Sequence, residues 1–122
     1  MGLAQRAAVL VVGDELLSGR TRDGNGAWLA ERLTAVGLEV RGIHLVGDAA
    51  DAVAEGVGAA LRQASCIVVT GGLGPTDDDG TRAGLARAAG VKLTEDAEAL
   101  AMVREAQTQR GFELDARRRR EA

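Results

Sequence analysis

Three consecutive carboxylates, Asp77, Asp78 and Asp79, stand just beyond a glycine cluster, Gly71-Gly72-Leu73-Gly74, from which Pro75 and Thr76 separate them. Glycines let backbone N–H groups come close to a bound group, and a helix N-terminus beyond them favours phosphate. Carboxylates set side by side repel an anion unless a cation lies between, so the combination implies a hard divalent metal with oxygen ligands, Mg2+ being the natural choice. A second reading fits the same local spacing equally well: one aspartate caps the following helix and the other two face water. Two further acidic positions belong with these. Asp14-Glu15 lies within Gly13-Asp14-Glu15-Leu16-Leu17-Ser18-Gly19, and Asp48 follows Val46-Gly47.

Each acidic position lies in the loop that follows an apolar run. Ala7 to Val12 is continuous, the mark of a strand buried on both faces of a parallel sheet. Cys66-Ile67-Val68-Val69 with Thr70 predicts another buried strand, stopped by the glycines. Residues 38–46 predict a less buried strand, because Arg41 and His44 interrupt its apolar positions. Between these runs, Leu29, Leu33 and Val36 recur at helical spacing and predict a helix over 25–36, capped by Asp23 or Asn25 and ended by Gly37. Val53, Val57, Leu61 and Ala64 mark a second helix over 51–63, in which Gly56 and Gly58 predict close approach to the sheet. A third helix is predicted over 82–89. After Gly90 comes the short apolar segment Val91-Lys92-Leu93. Thr94 then serves as predicted N-cap of a last helix over 95–109, whose early acids Glu95, Asp96 and Glu98 suit the positive dipole end.

The order βαβαβα plus one helix, with right-handed crossovers, predicts a three-layer α/β/α domain around a mainly parallel, doubly wound sheet. Ligands of such sheets bind beyond the carboxyl ends of the strands. All three strand ends here are acidic, so their carboxylates should converge on one edge, which favours the metal-assisted phosphate reading over the capping one.

At 122 residues the chain fits one domain. Trp28 and Phe112 are its only aromatic residues, so the core must be aliphatic. The net charge of −3 argues against nucleic acid as a partner, and residues 1–116 alone carry 11 basic and 17 acidic side chains. The four arginines at 117–120 are expected to be a solvated terminal run. Cys66 is the sole cysteine, which excludes a disulfide framework and fits a reducing, cytoplasmic setting. No run approaches the roughly 18 apolar residues of a membrane span, and the first residues lack a signal-peptide core. There is no GxxxxGK[ST] phosphate loop, and Gly72-x-Gly74 lacks the third glycine of a dinucleotide fingerprint. His44 lies mid-strand, a position that predicts a packing or surface role, and Ser18 and Ser65 have no motif around them, so a hydrolase triad has no basis.

With these residues in view, the chain resembles the MoaB/Mog molybdopterin-binding domain family, and within it the N-terminal domain of CinA, the competence/damage-inducible protein. The resemblance rests on the Gly13 to Gly19 segment, on Asp23-x-Asn25 with Trp28-Leu29-Ala30, and on Val46-Gly47-Asp48. Its most specific part is Thr70-Gly71-Gly72-Leu73-Gly74-Pro75-Thr76-x-Asp78-Asp79-x-Thr81-Arg82. It implies a parallel-sheet fold, a homo-oligomer such as a dimer or trimer, and a nucleotide or pterin phosphate bound with Mg2+ or another divalent cation. Relatives adenylylate molybdopterin from Mg-ATP, while CinA-type domains resemble ADP-ribose pyrophosphatases. Carried over by position, Asp79 matches the essential loop aspartate and Asp48 its second-strand partner, and these are the expected catalytic residues. Asp78 and Asp79 are the expected metal ligands. Gly71, Gly72 and Gly74 match the phosphate cradle, with Gly13, Asp14, Glu15, Ser18, Asn25 and Thr70 lining the ligand and Thr76 and Thr81 donating hydroxyls to phosphate. The resemblance also implies one domain over residues 1–122 that stops short of a further loop and strands present in relatives, and, because Gly80 stands beside Asp79 where relatives carry a bulky aliphatic residue, a loosely packed start to the following helix.

Overall fold

The computed structural model describes residues 5–74 and 80–109. Three strands, β1 (Arg6–Val12), β2 (Glu39–Val46) and β3 (Cys66–Thr70), form a wholly parallel sheet in the order β2-β1-β3. Helix α1 (Asp14–Leu17) follows β1, α2 (Asn25–Ala35) leads to β2, α3 (Ala50–Leu61) leads to β3, and α4 (Thr81–Ala89) and α5 (Ala97–Gln109) come after.

The central place of β1 follows from its hydrophobicity. Ala7, Ala8, Val9, Leu10, Val11 and Val12 are all 3% exposed or less, as the central strand of a sheet covered on both faces must be. Leu10 and Val12 pack with Val53 and Val57 of α3, and Ala8 packs with Ala60 and Ala64. The opposite face meets α2, where a Cβ on Gly26 would collide with Ile43 and come within 3.3 Å of Val11. The chain steps from β1 to β2 over one face and back past β1 to β3 over the other, so both crossovers have the same hand, as the rule for parallel connections demands. That makes the three layers expected from sequence. Among the described residues no helix is long and apolar enough to cross a membrane.

Several local expectations need correction. The β3 strand is half-buried at every residue, not buried, because among the described strands it lies at the sheet edge. The α3 stripe is Val53, Val57, Ala60 and Ala64; Leu61 is 55% exposed. Gly56 does allow close contact, since a Cβ there would sit 2.9 Å from both Leu10 and Val46, whereas nothing lies within 4 Å of Gly58. Val36 is 76% exposed and stands outside the α2 core stripe. The last helix begins at Ala97, and the Asp96 carboxylate accepts the Ala99 N–H at 2.8 Å. Aspartate is the stronger cap and displaces Thr94 from that role. At α2 the cap is Asp23, whose carboxylate accepts the Gly26 N–H at 3.0 Å; Asn25 is the first helical residue. His44 behaves as a surface residue, its Nε2 within 2.9 Å of Gln63 Oε1.

Gly37 and Gly90 stop α2 and α4 as predicted. Both take a left-handed φ, of 97° and 70°, and the residues after them, Leu38 and Val91, donate back to Leu33 and Ala86.

Candidate functional site

The carboxyl ends of β1 and β2 are joined through two aspartates. The Gly13 N–H donates to the Val46 carbonyl at 2.9 Å, extending the sheet contact by one residue. Immediately beyond, the Asp48 N–H donates to the Asp14 carboxylate at 3.0 Å and the Asp14 N–H donates to the Asp48 carboxylate at 3.4 Å. A Cβ on Gly47 would lie 2.7 Å from the Asp14 carboxylate, so the smallness of Gly47 admits the contact. What reads as a loop after β1 is therefore partly helical: Leu16 and Leu17 donate to the Gly13 carbonyl and close the single turn of α1.

The end of β3 is shaped by glycine. Gly71 and Gly72 have φ of 93° and 64°, a region that costs a residue with a Cβ about 1–2 kcal/mol. At Gly71 the constraint is double, because a Cβ there would run into the Val12 carbonyl of the neighbouring strand. The turn is gripped from the start of α4. The Thr81 hydroxyl donates to the Gly71 carbonyl at 2.8 Å, and the Thr81 N–H donates to the Gly72 carbonyl at 3.4 Å. The Arg82 guanidinium donates to the Leu73 carbonyl at 2.8 Å and to the Gly74 carbonyl at 3.1 Å. Four successive carbonyls thus have donors in two adjacent residues. A trans peptide directs C=O and N–H to opposite sides, so the N–H groups of Gly72, Leu73 and Gly74 face away from α4. Among the described residues none of these three donates to a partner. Successive free N–H groups in a glycine turn make a concave anion site.

The two strand-end sites are tied together by Gly80. Its N–H donates to the Asp48 carbonyl at 2.9 Å, and a Cβ on it would strike the 48–50 backbone. The α4 start is consequently tight, where the sequence predicted a loose one. No other residue would permit that approach.

The family model described as "Probable molybdopterin binding domain" matches residues 8–119. The chain belongs to this molybdopterin-binding domain family. A CinA-like protein of Frankia casuarinae is 50% identical over 91 residues, covering 75% of this chain and 21% of the relative. A protein of Aeropyrum pernix is 48% identical over 109 residues, covering 89% of this chain and 41% of the relative. The domain thus spans less than half the length of these curated relatives. In structure it resembles the protein CinA of Thermoplasma acidophilum, with a TM-score of 0.86 at 38% identity, covering 95% of this chain and 68% of that one. It shares its fold with the tungsten cofactor synthesizing protein MoaB of Pyrococcus furiosus, with a TM-score of 0.66 at 21% identity, covering 90% of this chain and 66% of that one.

Within this molybdopterin-binding domain, the structure brings Gly13, Asp14 and Asp48 together at one edge and Gly71, Gly72 and Gly74 beside them through Val12 and Gly80. Thr70 is the last residue of β3, paired with Val11. Glu15 folds back toward Gly13, and the Ser18 hydroxyl donates to the Glu15 carbonyl at 3.2 Å. Thr81 takes a role other than the one the resemblance implies: it is 1% exposed and its single hydroxyl donor is directed to Gly71, so it holds the turn. Thr76, Asp78 and Asp79 lie outside the described residues, as do Asp77 and the arginines at 117–120. Among the described residues no three side chains of metal-binding type cluster. Arg82 is the site residue that sequence reading passed over. Its signal was its place beside Thr81 in the glycine-to-helix motif.

Proposed function

We propose that this domain binds the pyrophosphate of a nucleotide with a divalent cation and hydrolyses it, with ADP-ribose as the representative substrate. The observation that carries the reading is the glycine turn, whose Gly72, Leu73 and Gly74 N–H groups have no described partner and which is linked to the Asp14–Asp48 pair through Gly80 and Thr81. Phosphate oxygens would accept from these N–H groups. Asp48 and Asp14, joined by Asp78 and Asp79 of the same motif, are of the oxygen-donor type that Mg2+ takes. When bound, the cation would neutralise pyrophosphate charge and lower the pKa of a water. In the reaction a water oxygen forms a new P–O bond, the bridging P–O bond breaks and its oxygen leaves with the other phosphate, giving AMP and ribose 5-phosphate.

The test is incubation with ADP-ribose and Mg2+ or Co2+, followed by measurement of AMP. Turnover no higher than in Asp79→Ala would sink the hydrolase reading. Membership in a molybdopterin-binding family favours a second reading, transfer of adenylate from ATP to molybdopterin. Offering molybdopterin with ATP separates the two. Saturable nucleotide binding without turnover in either assay would leave a ligand-binding or oligomerisation module; a homo-oligomer and a cytoplasmic setting belong to the same proposal.

A further inference from the structure

We infer that Arg82 is the positioning residue of the glycine turn: by holding the Leu73 and Gly74 carbonyls it fixes the plane of the Leu73–Gly74 peptide, so that the Gly74 N–H is presented to a phosphate, and it does not touch the ligand itself. The clamp rests on geometry alone; its link to phosphate rests on the functional reading above.

Three observations meet here. The guanidinium donates to two successive carbonyls, Leu73 at 2.8 Å and Gly74 at 3.1 Å, from the first turn of α4. Gly72 and Gly71 just before them are claimed by the backbone and hydroxyl of Thr81, which is buried and cannot swing away. The turn has no other rigidity of its own, because glycine populates positive and negative φ about equally. Without Arg82 the Leu73–Gly74 segment would be free to rotate its peptide planes, and a rotated plane offers a carbonyl oxygen, not an N–H, to an anion. Arginine suits this task chemically. It remains protonated, and its planar fork addresses two acceptors at once, whereas a lysine ammonium acts as a single point charge. Both hydrogen bonds draw guanidinium protons toward backbone oxygens, which turns the group away from the ligand side.

The test combines 15N backbone relaxation with binding of inorganic pyrophosphate and of ADP-ribose, each with Mg2+, to the wild-type chain, Arg82→Ala and Arg82→Lys. The order parameter of the Gly74 N–H should fall from about 0.85 to below about 0.6 in Arg82→Ala while those of Val9 and Leu10 in β1 stay unchanged. Pyrophosphate affinity should fall by about 10-fold, the size expected for losing hydrogen bonds to a charged donor, and millimolar guanidinium should restore much of it in Arg82→Ala but add nothing to wild type. Arg82→Lys keeps the charge and the helix propensity, serves if the alanine variant does not fold, and should be only partly recovered. The salt dependence of binding should be unchanged in both variants. An unaltered Gly74 order parameter in Arg82→Ala overturns the clamp, and a lowered one with unaltered affinity overturns its link to the ligand. Full affinity in Arg82→Lys, or a weakened salt dependence in Arg82→Ala, would make Arg82 a direct phosphate contact and overturn the positioning role. Pyrophosphate capture without ADP-ribose capture would refute the nucleotide reading and leave this one standing; capture of neither by wild type would refute the phosphate-facing part of it.

Discussion

Asp14 and Asp48 lie 34 residues apart and each accepts the backbone N–H of the other, at 3.0 Å for the Asp48 N–H and 3.4 Å for the Asp14 N–H. The exchange fastens the end of β1 to the end of β2 and holds two carboxylates at one sheet edge. Removing either acceptor, as in Asp14→Ala or Asp48→Ala, should cost about 1 kcal/mol, and the two losses should be coupled by about 0.5 kcal/mol or more. Urea unfolding of the single and double variants measures this. Asp48→Asn keeps an acceptor oxygen and should leave stability within about 0.5 kcal/mol of wild type, because only the charge is removed.

Metal dependence separates charge from structure. Nucleotide affinity should collapse in EDTA, since close carboxylates repel pyrophosphate by about 1–4 kcal/mol per charge pair at short range. Asp79→Asn should remove most of the Mg2+ effect, and Asp77→Asn, at a variable position of the motif, should do far less. Calorimetric titration of all three proteins with and without Mg2+ decides it; equal effects of the two substitutions would mean the acidic run is a solvated helix start.

Two glycines should respond in opposite directions to alanine. Gly71→Ala places a Cβ against the Val12 carbonyl at a φ of 93° and should destabilise by more than about 2 kcal/mol. Gly58→Ala meets nothing within 4 Å inside α3 and should stabilise by up to about 1 kcal/mol. Thermal unfolding of the pair checks both signs.

Thr81→Val preserves shape but leaves the Gly71 carbonyl without its donor, at a site that is 1% exposed. It should cost about 1–3 kcal/mol, and Thr81→Ser, which keeps the hydroxyl, should cost less. If the valine variant unfolds at the wild-type urea midpoint, the hydroxyl does not hold the turn.

The ion pair between Arg87 and Asp51 joins α4 to α3 but is 58% and 84% exposed at its two side chains. Water and salt screen such a pair, so Asp51→Ala should shift stability by no more than about 0.5 kcal/mol.

Local chemistry settled much in advance. The unbroken apolar run from Ala7 to Val12 could only be a central strand, and Gly37 and Gly90 could only be helix stops, because both conclusions follow from the period of burial and the allowed φ of single residues. The glycine turn after β3 and the acids at the strand ends were legible for the same reason. Competition between neighbours was not. Asp96 rather than Thr94 caps α5, a choice between two nearby side chains for the same N–H groups, and Leu61 leaves the α3 stripe in favour of Ala60 because that choice depends on which side the helix offers to a sheet it has not yet met. Half-burial of β3 depends on where its strand falls in the order β2-β1-β3, which apolar content cannot specify. The clearest case is Gly80. From sequence it weakens a helix start. In the folded domain its missing side chain is what lets α4 reach the Asp48 carbonyl, so that Thr81 and Arg82 arrive at the carbonyls of a turn that lies on another strand's end. Contacts of that kind join residues far apart in the chain, and only the packing of three layers brings them within hydrogen-bond distance.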